Sequence, residues 1–197
     1  MEIIIFTQRV ELITSYGERR DCADQRISDF IYTCGYLPVP IANKPEIMQK
    51  IISEIKPSKI ILTGGNSLVK YGGNAPERDE TDKILIELSI KNKIPLYGFC
   101  RGMQSILDYF GNDLVKVSGH VAVRHKISGI EGITEVNSYH NEACTKLANN
   151  ELSVIMQSDD GVIEKIRHKT LPIVGTMWHP EREKPFNDRD INIMKGL

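Results

Sequence analysis

The run Ile94-Pro95-Leu96-Tyr97-Gly98-Phe99-Cys100-Arg101-Gly102-Met103-Gln104 constrains this chain more than any other stretch. An apolar, strand-like run turns there into a helix, with a cysteine at the corner and a glycine on either side of it. The pattern Gly-x-Cys-x-Gly describes a nucleophile elbow, a strained strand-to-helix turn that lifts a reactive side chain above the end of a sheet. Gly98 and Gly102 are expected because side chains would collide in so tight a turn. Met103, Ile106, Leu107 and Phe110 then recur at helical spacing, so Cys100 sits at a helix N-terminus. The partial positive charge there favours thiolate over thiol.

The stretches before the elbow alternate between two periods. Ile3 to Thr7, Tyr36 to Ile41 and Lys59 to Thr63 read as short strands, the second confined to an edge or irregular form by Pro38 and Pro40. Between them, Ile27, Phe30, Ile31 and Cys34 mark a helix closed by Gly35. Met48, Ile51, Ile52 and Ile55 mark another, opened by Pro45 and stopped by Pro57. Ser15 to Asp21 reads as a polar loop, and Gly64 to Arg78 as a long irregular one, before a helix from Asp79 that carries Ile84, Leu85, Leu88 and Ile90. This βαβα order predicts an α/β fold: an open, mostly parallel, doubly wound (flavodoxin-like) sheet with helices on both faces. Beyond Gly111 the runs 114–117, 121–127, 133–138, 152–157 and 162–167 are short and separated by turn residues, which predicts added antiparallel strands in the C-terminal half. Leu171 to Met177 returns to buried-strand composition, and a last helix is expected over 188–194.

A chain of 197 residues with 41% hydrophobic content suits a single domain spanning 1–197. Its formal net charge of −1 offers no general attraction for nucleic acid or acidic membranes, so a small-molecule substrate is expected. Cys22, Cys34, Cys100 and Cys144 are scattered, as in a reduced, cytoplasmic protein, and the start lacks the pattern of a signal peptide. His120, His125, His140 and His179 form neither an i, i+4 helical pair nor a cysteine-containing ligand set, so no metal and no other cofactor is expected.

A cysteine nucleophile needs a base and a group to orient it. His179 ends the last strand, and Glu181, two residues on, projects to the same side of an extended segment. The amide of Arg101, following the nucleophile, and that of Gly65, at the end of the preceding strand, are the expected oxyanion donors. Arg9, Arg19, Arg20, Lys70 and Arg78 lie in or beside loops after strand ends, where an open sheet binds ligands, and could meet a phosphate.

Five motifs in order resemble the class I glutamine amidotransferases, and within them the γ-glutamyl hydrolase branch: Thr63-Gly64-Gly65, Arg78-Asp79, Gly98 to Gln104, Val136 to Asn141 and Trp178-His179-Pro180-Glu181. Asn141 departs from the histidine or glutamine often found in that branch, and the chain lacks the extra length of many of its members. The resemblance implies Cys100 as nucleophile, His179 as base and acid, and Glu181 as orienter, with oxyanion donors at Gly65 and Arg101. Substrate contacts are implied at Gln104, Asn137, Ser138, Tyr139 and His140, with Asn66 in the oxyanion loop and Arg9, Arg19 and Arg20 toward the leaving group. The activity implied is hydrolysis of a γ-glutamyl amide through a γ-glutamyl thioester, the favoured substrate being nucleotide-linked. The alternatives are a glutaminase subunit that passes ammonia to a partner synthase and a non-catalytic binding module. The intact Cys100, His179 and Glu181 count against the last.

Overall fold

The apolar runs expected to be buried strands lie side by side as parallel neighbours. In the computed structural model, which describes residues 1–197, β1 (Ile3–Phe6) leads into the hairpin β2 (Arg9–Ile13) and β3 (Glu18–Cys22). There follow α1 (Gln25–Thr33), β4 (Leu37–Pro40), α2 (Met48–Ile55), β5 (Lys59–Leu62), α3 (Pro76–Asn92), β6 (Leu96–Phe99) and α4 (Arg101–Tyr109). The C-terminal half adds β7 (Val115–Lys116), β8 (Val121–Gly129), β9 (Gly132–Tyr139), β10 (Glu142–Ala143), β11 (Leu152–Ser158), β12 (Ile163–His168), β13 (Ile173–Thr176) and α5 (Asp188–Gly196). Nine strands form one sheet in the order β4-β1-β5-β6-β13-β12-β11-β8-β9. The first five are mutually parallel and the rest extend the sheet antiparallel.

Side-chain alternation divides the core between the two faces. Ile5, Ile60, Leu62, Leu96 and Ile173 point into the layer covered by α2, α3 and α4, where Met48, Leu85, Met103 and Ile106 meet them. Ile4, Phe6, Ile61, Tyr97, Phe99 and Val174 point the other way, onto Ile27, Phe30 and Ile31 of α1 and Met194 of α5. Strands covered on both faces need continuous apolar composition, which is why β5, β6 and β13 are buried at every position. β4, with its two prolines, takes the edge, where a missing donor costs least.

Three expectations change. Ser15 to Asp21 is the turn and second strand of a hairpin whose residues are mostly exposed, so no buried stripe announced it. α3 begins at Pro76 rather than Asp79, because proline at the first helical position sacrifices no hydrogen bond. The two-residue β10, paired with β7, is too short to leave a periodic signal. No helix is long and apolar enough to cross a membrane.

Candidate active site

β5, β6 and β13 are adjacent in the sheet, so their C-terminal ends deliver Thr63-Gly64-Gly65, Cys100 and His179 to one place. Cys100 has φ 51° and ψ −113°, a conformation worth about 1–3 kcal/mol of strain in a non-glycine residue. The elbow is held by a hydrogen bond from the Cys100 amide to the Thr176 carbonyl, 2.8 Å. A side chain at Gly102 would stand 1.9 Å from the Leu62 carbonyl oxygen, and one at Gly98 would run into the Gly102 carbonyl. Both glycines are therefore required by backbone approach.

His179 Nδ1 lies 2.7 Å from Glu181 Oε1, and both side chains are buried. The other ring nitrogen, Nε2, has no partner. A methyl group at Gly64 would stand 2.8 Å from His179 Cε1 and 3.4 Å from Cys100 Cβ, so the thiol and the imidazole flank one glycine. Phe99 and Tyr139 wall the ring edge-on, with centroids 5.7 and 5.6 Å away. Burial pushes the Cys100 thiol up, but the neighbouring His179 and the Arg101 amide outweigh it, so the net shift is downward. For His179 burial favours the neutral ring, and the Cys100 and Glu181 charges overcome it, so its pKa is raised. Each group contributes to the other's shift, so the two titrate as a coupled pair.

The loop after β5 is shaped by Arg78, a fully buried side chain on α3. Its guanidinium donates to the carbonyls of Thr63 (2.8 Å), Gly64 (2.9 Å) and Gly65 and to Asn66 Oδ1 (3.1 Å). With three consecutive carbonyls held on one side, the Gly65 amide is left without an acceptor in the chain. Gly65 adopts φ +86°, which glycine reaches without strain. Arg101 is buried as well, its side chain paired with Asp79 and Asp82 on α3 and 3.2 Å from Ser105 Oγ, which anchors the first turn of α4. Asp82 escaped the sequence reading; an acidic residue three beyond the Arg78-Asp79 pair, on the same helix, was its only signal.

The remaining predicted residues divide. Asn137 clamps the backbone of His179, donating to its carbonyl (2.8 Å) and accepting from its amide (2.9 Å). Gln104 donates to the Glu142 carbonyl (2.8 Å), and Ser138 Oγ to that of His120 (2.8 Å). Tyr139 carries the Arg182 guanidinium over its ring at 4.0 Å. Asn66 exchanges side-chain hydrogen bonds with the backbone of Val10. His140 turns into a cluster with His120 and Glu164. A cavity of about 350 Å³ opens beside His179, lined by Arg9, Thr63, Gly64, Gly65, His179 and Arg182 among others. Arg9 reaches it, paired with Glu11. Arg19 is bound to Glu77 and the Asn74 carbonyl, Arg20 to Glu18 and Tyr16, and neither lines the cavity. Of the other cations considered for phosphate, Arg78 is spent on the loop carbonyls and Lys70 on Asp108 and Asp113. Arg182 went unnoticed, one residue beyond the His-Pro-Glu run.

Comparison with known proteins gives a consistent picture. A family model described as glutamine amidotransferase class-I matches residues 21–192. The γ-glutamyl-CDP-amidate hydrolase of Campylobacter jejuni is 32% identical over 196 residues, covering 96% of this chain and 94% of that protein. The γ-glutamyl-γ-aminobutyrate hydrolase of Escherichia coli O157:H7 is 25% identical, covering 84% and 80%. A glutamine amidotransferase structure from Thermotoga maritima superposes with a TM-score of 0.69 at 15% identity, covering 100% of this chain and 84% of that one, which shows the shared fold.

Proposed function

Because the chain belongs to the class-I glutamine amidotransferase family, we propose that it is an amide hydrolase of the γ-glutamyl type whose nucleophile is Cys100. The observation that carries this reading is the convergence of an elbow cysteine, a buried His179-Glu181 pair and an acceptor-free Gly65 amide at the ends of three adjacent strands. The Cys100 thiolate attacks the γ-carbonyl, and the amides of Gly65 and Arg101 receive the developing oxyanion. His179, protonated in the coupled pair, gives its proton to the departing nitrogen. It then takes a proton from the water that attacks the γ-glutamyl thioester; the carbon–sulfur bond breaks, glutamate leaves, and the thiolate and protonated imidazole are restored.

The finer reading is a nucleotide-linked leaving group, with γ-glutamyl-CDP-amidate as substrate and cytidine diphosphoramidate as product, a reaction of capsule phosphoramidate synthesis. Two features support it: the similarity to the C. jejuni hydrolase along almost the whole chain, and a cavity beside His179 with Arg9 and Arg182 on its walls. Guanidinium groups suit diphosphate oxygens because they donate in pairs. The test is a side-by-side assay of the purified chain on γ-glutamyl-CDP-amidate, glutamine and γ-glutamyl-γ-aminobutyrate, with released products identified by mass. Turnover is expected to favour the nucleotide substrate by at least about 100-fold in kcat/KM; equal turnover of plain glutamine overturns the assignment.

A further inference from the structure

A second group of histidines and a carboxylate gathers from β8 and the residue just before it, the residue just after β9, and β12. Glu164 is wholly buried, and His120 and His140 are each 3% exposed. Neither oxygen of Glu164 has a hydrogen-bond partner, nor does either ring nitrogen of His140, Nδ1 of His120 or Nε2 of His125. Buried polar atoms are seldom left unmet in a native fold, and so many in one place point to a missing common partner. The ligand atoms of His120, His140 and Glu164 all lie within 4.8 Å of one another. Glu164 Oε1 is 3.5 Å from His120 Nδ1, 3.4 Å from His140 Nε2 and 3.3 Å from His125 Nε2.

These separations are too long for hydrogen bonds with good geometry and match the edge of a coordination tetrahedron. Nitrogen and oxygen donors about 2.1 Å from a zinc ion stand about 3.4 Å apart. We propose that His120, His140 and Glu164 hold a structural zinc ion, with His125, which lies outside that compact trio but turns Nε2 to the same Glu164 oxygen, closing in as the fourth ligand. With His125 drawn onto the metal, three imidazoles and one carboxylate would complete four-coordination, leaving no open position for substrate and fitting a closed, structural role. The outer shell fits too. His120 would bind through Nδ1 because its Nε2 is 2.9 Å from Asp160 Oδ2, and Asp160 Oδ1 in turn accepts from Ser158 Oγ at 2.5 Å. A carboxylate behind a ligating imidazole fixes the tautomer and strengthens the ligand.

The site would tie the segment that steadies the base to the strand that carries it. The His120 carbonyl receives both the His140 amide (3.0 Å) and Ser138 Oγ, one residue from Asn137. The Glu164 carbonyl receives the Met177 amide (2.8 Å), two residues before His179.

The experiment uses the full chain, purified without a histidine tag and stripped with a chelator. Zinc chloride is titrated against a chromophoric zinc indicator and, separately, in thermal unfolding. One equivalent per chain is expected, with a Tm rise of several degrees at saturating metal. Glu164→Gln and His140→Ala should lose both effects, and His168→Ala, outside the cluster, should keep both. Asp160 is on the exposed side of the cluster, so Asp160→Asn should fold normally and bind zinc about 10-fold or more weakly. Absence of stoichiometric binding by the wild-type chain overturns the proposal, as does unchanged affinity in Asp160→Asn and Glu164→Gln together.

Discussion

Two histidine-carboxylate assemblies sit on the same sheet and could hardly be built more differently. His179 and Glu181 are two residues apart at the end of a parallel strand, meet at 2.7 Å, and leave one ring nitrogen free beside a thiol and a cavity. His120, His125, His140 and Glu164 come from separate parts of the antiparallel extension and converge on one carboxylate oxygen with no thiol among them. The first suits the proton transfers of the proposed reaction. In the second every ring faces the same buried charge, which suits holding strands together. The lesson is that a histidine beside a carboxylate has no fixed meaning: the group facing its other nitrogen decides between chemistry and architecture.

The comparison breaks most sharply at Cys100. Cys100→Ala should lower kcat by about 10⁴-fold or more while leaving Tm within a few degrees, measured by steady-state turnover and thermal unfolding. Retained turnover would mean that the free nitrogen of His179 serves some other group. Glu181→Gln comes next, with a loss of about 10³-fold in kcat. The wild-type profile should be bell-shaped, falling at low pH as the thiolate gains a proton and at high pH as His179 loses one. The Glu181 carboxylate helps to raise His179, so its removal should move the high-pH limb to lower pH. An unmoved limb would detach Glu181 from the base. The smallest catalytic effect belongs to the other assembly. Glu164→Gln should change kcat less than about 10-fold but lower Tm by roughly 5–10 °C, since it strips a buried charge from the histidines around it. A variant as inactive as Glu181→Gln yet fully stable would erase the distinction between the two assemblies.

Legibility followed sequence distance. The elbow, the His179-Glu181 contact across two residues, and the glycines after β5 were readable because each motif is local and its stereochemistry forces the residue type. The Gly102 position 1.9 Å from a carbonyl admits no side chain whatever surrounds it. The alternation of strands and helices was readable because burial on two faces imposes continuous apolar runs. The hairpin β2–β3 was not, since its residues are mostly solvent-exposed and no burial pattern constrains them. Nor were the true partners of Arg19 and Arg20, because side-chain pairing on a surface depends on which loops come near.

The amino-acid order by itself determined the parallel α/β architecture, the strained cysteine and the His179-Glu181 unit, all consequences of steric and burial rules acting over a few residues. Only the tertiary structure decided that Arg78 would hold the carbonyls of the loop after β5, that Asn137 would grip the backbone of His179, and that His140 would turn toward Glu164. The reason is the same in each case. A side chain's type fixes what it can bond, but the partner within reach is set by how distant strands are brought into register.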